Sequence, residues 1–120
     1  MGRIEDFQTF REEMNHEILH QGNRDTKRFF GLDRAVFEDG ELDRKTKEMM
    51  GLVSSLVLRC DDCITYHLIT CHELGVTGKE FFELFNVAML VGGSICIPHV
   101  RRAVKTLNEL LEDKGGSPSR

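Results

Sequence analysis

The segment LDRKTKEMMGLVSSLVLRCDDCITYH, residues 42–67, indicates both the fold class of this 120-residue chain and its reactive groups. Asp43 is a good N-cap for a helix. The helix has one apolar face at the spacing i, i+3, i+4, i+7 and i+8, formed by Met49, Leu52, Val53, Leu56 and Val57. The polar residues 59–62 interrupt this pattern, and Asp61 and Asp62 are suited to cap a further helix. The segment therefore predicts two helices with a pair of cysteines at the break between them.

Helical periodicity continues on both sides of this segment, and strand signals are nearly absent. We expect a first helix over roughly residues 3–20, a shorter one near residues 29–37, and one from 61 to about 74. A capping box at residues 77–80 opens the next helix, Gly92-Gly93 breaks it, and Pro98 suits the first turn of the last one. The sequence thus predicts a compact all-α domain of about six helices over residues 1–114, followed by a flexible tail at 115–120.

Composition excludes several classes of protein. Hydrophobic residues make up 40% of the chain and charged residues 30%, which is typical of a globular domain. The net charge is −4 and the basic residues are scattered, so neither a nucleic-acid partner nor a membrane partner is expected. The charged start of the chain does not resemble a secretory signal, and we therefore expect a cytoplasmic protein with reduced cysteines.

The cysteine and histidine residues of the second helix form one stripe. On a helix that begins near residue 61, Cys63, His67 and Cys71 share a face, and Cys60 lies at its head. The N–H groups at a helix start stabilise a thiolate, and a histidine one turn away can take the thiol proton. A nucleophile, a second thiol and a base are the minimum for dithiol chemistry.

Two other interpretations stay open at this level. Cys60 and Cys63 together with Cys96 and His99 have the spacing of a Cys₃His zinc site. Alternatively, the cysteines only pack in the core of a helical assembly protein without redox activity. Outside the zinc interpretation, Cys71 and Cys96 are interpreted as core thiols.

Further histidines and one carboxylate carry weaker signals. His99 is expected either to bond to the backbone or to line a pocket, whereas His16, His20 and His72 are expected at the surface or at an edge. Glu48 falls at the border of the apolar face of the preceding helix. It is either a partly desolvated proton carrier or an ordinary surface glutamate.

The spacing Glu48-x11-Cys60-x2-Cys63-x3-His67 resembles the carboxymuconolactone decarboxylase superfamily, and most closely its AhpD-like alkylhydroperoxidase branch. Residues 72–77 and the later Val-Gly-Gly at 91–93 are also similar, so that the resemblance spans roughly residues 30–112. It implies an all-α fold, a homotrimer or homohexamer, and a thiol-dependent peroxidase or disulfide oxidoreductase. Peroxides or disulfides would be the substrates, an external dithiol the reductant, and no cofactor or metal would be required.

The resemblance also implies a role for each residue of the motif. Cys63 would attack the peroxide, Cys60 would be the resolving thiol, and His67 and Glu48 would form a proton relay. The i to i+4 spacing of Cys63 and His67 agrees with that assignment. The chain departs from the branch at Asp62, where an aromatic residue is frequent, and an acid at this place is expected to slow thiolate formation. The dithiol itself argues against the lactone decarboxylase activity of the superfamily.

An oligomer is also expected from the pattern of residues 81–90. This helix is apolar nearly all round. Such a helix suits burial in a core larger than one small subunit can supply.

Overall fold

The computed structural model describes residues 2–112, which contain helices but no strand. The helices in chain order are α1 (Arg3–Gln21), α2 (Arg24–Val36), α3 (Arg44–Leu58), α4 (Asp61–Glu73), α5 (Gly78–Gly92) and α6 (Ile97–Glu112), with a short 3₁₀ helix at Ser94–Cys96 before α6. The all-α prediction is confirmed. The helices lie close to their expected positions except α2, which begins at Arg24 and not near residue 29, because Asn23 caps it.

The chain falls into two compact units that divide between Asp39 and Gly40. In the first unit α1 and α2 pack against each other. The second unit contains α3 to α6 and all the residues of the motif. A single domain over residues 1–114 stays a prediction, and the tail expected at 115–120 lies outside the described residues.

Local signals explain where the helices of the second unit begin and end. Asp43 caps α3, since its Oδ1 accepts a hydrogen bond of 2.8 Å from the Thr46 N–H. Thr77 and Glu80 form the expected reciprocal capping box at the start of α5. Gly93 has φ +87°, a conformation that glycine adopts without the steric cost of a Cβ, and α5 ends there. Single residues or pairs of residues therefore account for the positions at which α3 and α5 begin and at which α5 ends.

The core of the second unit forms where α3 packs against α4 and α5, and where α6 packs against α4. Fully buried side chains from these helices fill the space between them: Leu52, Leu56, Leu68, Phe81, Phe85 and Leu107. Each contributes about 1.5–3 kcal/mol by leaving water. This packing sets α3 and α6 against α4, the helix that begins at the dithiol.

The outer face of α5 carries large apolar side chains as well, beside the exposed Glu83 and Asn86. Phe82, Val87, Leu90 and Val91 are between 49% and 87% exposed, whereas Phe81, Phe85 and Ala88 on the inner face are buried. None of the helices found in residues 2–112 combines the length and the apolar character that crossing a membrane requires.

Candidate active site

The dithiol lies at the start of α4. Arg59 adopts the left-handed conformation at φ 62° and ψ 44°, which turns the chain sharply between α3 and α4. Cys60 is the N-cap of α4, and its Sγ accepts the N–H of Cys63 at 3.4 Å. The expectation that Asp61 or Asp62 caps this helix was wrong, because the sulfur of Cys60 takes that place. Both aspartates instead lie in the first turn of the helix.

The two sulfur atoms face each other across this turn. The Cys60 thiol donates a hydrogen bond to Cys63 Sγ over 2.7 Å, and both cysteines are free thiols. Cys63 is exposed, whereas Cys60 is half-buried. Since the sulfur atoms of a disulfide lie about 2.05 Å apart, the pair needs only a small movement to close. Cys63 is thus the more accessible thiol, and Cys60 is placed to bond with it.

His67 and Glu48 form a hydrogen-bonded pair between α4 and α3. His67 Nδ1 lies 2.7 Å from Glu48 Oε1, and the Tyr66 ring packs edge-on against the imidazole. Glu48 is 1% exposed, so its interpretation as a surface glutamate was wrong. A carboxylate that accepts the Nδ1 proton fixes the tautomer of the ring and leaves Nε2 to exchange a proton.

Gly51 gives the imidazole of His67 its space. A Cβ at this position of α3 would lie 2.7 Å from His67 Cε1 and 2.9 Å from each ring nitrogen. These separations are shorter than side-chain contacts allow, and only glycine fits beneath the ring in its present place. Gly51 was not among the predicted site residues, although a lone glycine inside a helical pattern is a recognised sign of close packing.

A second cluster joins the start of α4 to α6. Asp61 Oδ1 lies 2.8 Å from His99 Nδ1, and Asp61 Oδ2 lies 3.2 Å from Arg102 Nε. Partial burial raises the pKa of Asp61, but the hydrogen bonds from His99 and Arg102 together outweigh it and hold the pKa below its ordinary value. His99 was expected to bond to the backbone, to line a pocket or to bind zinc. It bonds to the acid between the two thiols instead.

This geometry gives the zinc interpretation no support. Cys96 is fully buried beside Gly92, and His99 is bonded to Asp61. Within residues 2–112, no three side chains of the metal-binding types are grouped so that they could hold an ion.

The remaining cysteines are core thiols, as expected. Cys71 and Cys96 are both 0% exposed. Burial first, and the nearby charge of Glu48 second, raise the pKa of Cys71 to about 12. Such a thiol stays protonated and unreactive near neutral pH. His72 is only 2% exposed, and its expected position at the surface was wrong, because the last turn of α4 lies inside the core.

The sequence matches known proteins along most of its length. The model of the carboxymuconolactone decarboxylase family matches residues 26–106. An uncharacterised protein of the cox locus of Paracoccus denitrificans is 29% identical over 82 residues, which are 68% of this chain and 74% of that protein.

Solved structures give a similar result. A crystal structure of TM1620 from Thermotoga maritima has a TM-score of 0.89 and 55% identity, over 91% of this chain and 96% of that one. A second structure of that protein has a TM-score of 0.86 and 52% identity, over 96% and 99% of the two chains. It is described as a family member for which involvement in an antioxidative response has been suggested. Apo-lpg0406 from Legionella pneumophila, a member of the same family, has a TM-score of 0.72 and 26% identity, over 88% and 91%.

Proposed function

Because the chain belongs to the carboxymuconolactone decarboxylase family, we propose that it is a thiol-dependent peroxidase or disulfide oxidoreductase of the AhpD-like branch. The observation that carries the proposal is the pair of sulfur atoms 2.7 Å apart at the start of α4, with a buried histidine–carboxylate pair on the same helix and its neighbour. The antioxidative role suggested for the similar Thermotoga maritima protein agrees with such an activity.

In this mechanism Cys63 is the attacking thiol. It is the exposed member of the pair, and its sulfur lies 2.7 Å from that of Cys60, which is placed to resolve it. The thiolate attacks one peroxide oxygen, the O–O bond breaks, and Cys63 becomes a sulfenic acid. His67 Nε2 takes the thiol proton of Cys63 as the thiolate forms and returns it to the departing alkoxide, while Glu48 stabilises the ring at Nδ1.

Cys60 then resolves the sulfenic acid. Its sulfur attacks the sulfur of Cys63, the S–O bond breaks, and one water leaves with the thiol proton. The product is a Cys60–Cys63 disulfide, and an external dithiol restores both thiols by exchange. If the substrate is a disulfide, the same thiolate attacks one of its sulfur atoms, the S–S bond of the substrate breaks to release one thiol, and Cys60 then displaces the second thiol from the mixed disulfide, so that no sulfenic acid forms. We propose the cytosol, where dithiol reductants are abundant, as the compartment for this cycle.

Peroxide treatment of the reduced protein tests the roles of the two thiols. We expect the intact mass to fall by two hydrogens and the peptide map to link Cys60 to Cys63. A Cys60→Ser protein should stop at a sulfenic acid that dimedone traps on Cys63, and a Cys63→Ser protein should consume no peroxide. The assignment of Cys63 is wrong if Cys63→Ser consumes peroxide as fast as the parent protein.

Slow labelling of all four cysteines in the native protein would favour the assembly protein without redox activity. We expect instead that the exposed Cys63 reacts at once with a thiol reagent.

We also propose that the chain forms a homotrimer or homohexamer through the outer face of α5. Phe82, Val87, Leu90 and Val91 are exposed there, and burial of such apolar surface drives subunit association. Light scattering after gel filtration measures the mass directly. A monomer at micromolar concentration would contradict the proposal.

A further inference from the structure

An acidic residue lies between the two cysteines, where its negative charge opposes the reactivity of the dithiol. Asp61 stands between Cys60 and Cys63 in the sequence and in the first turn of α4. A negative charge beside a thiol disfavours the thiolate. The same charge at a helix start stabilises the helix, so that the two demands on this position oppose each other.

Two side chains of α6 bind the two oxygens of this carboxylate. His99 Nδ1 lies 2.8 Å from Oδ1, and Arg102 Nε lies 3.2 Å from Oδ2. A second nitrogen of Arg102 lies 3.2 Å from His99 Nδ1. Because the shorter contact to Asp61 requires a proton on Nδ1, that ring nitrogen is the donor and does not accept from Arg102.

Asp61 with its partners His99 and Arg102, called the clamp below, differs from the neighbouring Asp62 in its contacts. His99 is mostly buried, with its side chain 17% exposed, although it lies in the first turn of α6, which begins at Ile97. Asp62 is exposed and has no ion-pair partner among the described residues. Besides Asp61 and its partners His99 and Arg102, the charged or titratable residues next to the dithiol in the sequence are Arg59, which is the C-cap of α3, and Asp62; His67 follows one turn further along α4 with Glu48 as its partner. Of the two acids between the cysteines, only Asp61 is neutralised by side chains of another helix.

We propose that His99 and Arg102 are positioning residues that hold the Asp61 carboxylate on α6 and neutralise it, and thereby keep the dithiol at the start of α4 in its reactive thiolate form. The inference rests on the proposed dithiol function. It gives α6 a role in the reaction through these two residues, although neither of them touches the substrate.

The test is the pH profile of alkylation of the reduced protein by iodoacetamide, read by intact mass and peptide mapping. Arg102→Gln and His99→Leu each expose the charge of Asp61. We expect the midpoint of the profile to rise by roughly half to one pH unit in each variant, since a like charge beside a half-exposed thiol acts through partly screening solvent. Arg101→Gln, which removes a charge from the exposed neighbour on the same helix, should leave the midpoint unchanged.

The double variant Asp61→Asn/Arg102→Gln separates neutralisation from packing. If Arg102 acts through the charge of Asp61, removal of that charge returns the midpoint to the parent value or below it. A midpoint that stays raised in the double variant would overturn the inference, and so would an unshifted midpoint in both Arg102→Gln and His99→Leu. Protection of Cys71 and Cys96 from alkylation reports that each variant is folded.

The alkylation profile uses no peroxide, and this makes two kinds of failure distinguishable. A parent protein that consumes no peroxide but shows the expected order of midpoints would refute the peroxidase and leave the clamp intact. A parent protein that consumes peroxide, with identical midpoints in all variants, would refute the clamp alone.

Discussion

Replacement of Gly51 by alanine tests whether the position of His67 determines the rate. The new methyl group would lie 2.7 Å from Cε1 of the imidazole, whereas ordinary contacts begin at 3.4 Å. The ring or the backbone of α3 must therefore move by about 0.7 Å. Because His67 Nδ1 lies 2.7 Å from Glu48 Oε1, a shift of this size along the bond stretches it past the usual hydrogen-bond range of about 2.7–3.2 Å.

The rate should fall although the protein stays folded. Displacement of a reacting group by about 1 Å can cost about 10²-fold, and we expect peroxide consumption to fall between about 10-fold and 10²-fold. Alanine gains about 0.5–1 kcal/mol in a helix interior, and overpacking costs about 1–3 kcal/mol. The net loss of unfolding free energy is then at most about 2.5 kcal/mol. A domain of ordinary stability stays folded after such a loss.

The assay is single-turnover oxidation of the reduced protein by peroxide, followed as loss of free thiol, with urea unfolding of the same sample. Gly31→Ala is the matched control, because Gly31 is also inside a helix but a Cβ there meets nothing within 4 Å. It should gain about 0.5–1 kcal/mol of stability and keep the parent rate. The reasoning is refuted if Gly51→Ala is folded and reacts at the parent rate.

Three further outcomes follow from the structure. Glu48→Gln keeps the size of the buried side chain but removes its charge, and the rate of peroxide consumption measured near neutral pH should fall about 10²-fold or more, as for loss of a general acid–base partner. Cys71, whose pKa is raised to about 12, and the buried Cys96 should react with a thiol reagent only in urea, as peptide mapping will show; rapid labelling of either in native protein would contradict the described core. Asp61 has a lowered pKa, so its ion pairs stabilise the protein above pH 3.8 and cease to do so as the pH falls through the lower folded value. Urea unfolding should show Asp61→Asn less stable than the parent at about pH 6 and nearly equal to it at about pH 2.

Local sequence was sufficient for the helices and for the dithiol. The side chain of Asp43, the capping box at Thr77 and the glycine at position 93 act within one turn of their own backbone, and their effect is visible in a few neighbouring residues. The approach of the two sulfurs is likewise a property of one helical turn, because residues three apart share a face.

Contacts between helices could not be derived in the same way. Periodicity placed Glu48 at the border of an apolar face but did not say which helix covers it, and α4 leaves it 1% exposed. The bond between His99 and Asp61 joins residues 38 apart in the sequence, and no local pattern signals it. The buried position of His72 also depends on how α4 packs, since its own turn of helix would be equally stable with the ring in water.

Two carboxylates of the site, Glu48 and Asp61, are arranged in the same way. Glu48 on the α3 side and Asp61 at the α4 start each bond to the Nδ1 atom of a histidine, His67 in one case and His99 in the other. In each pair the carboxylate accepts a hydrogen bond from an imidazole N–H. This bond partly neutralises its negative charge and weakens the effect of that charge on the sulfur atoms. The roles nevertheless differ, because Glu48 is buried, whereas Asp61 is half-exposed and is also bonded to Arg102. Loss of Glu48 should therefore lower the rate at every pH by removing the partner of the base, while loss of Arg102 should mainly move the pH at which the thiols become reactive. A common pH profile for Glu48→Gln and Arg102→Gln would mean that the two pairs act as one unit and that this division of roles is wrong.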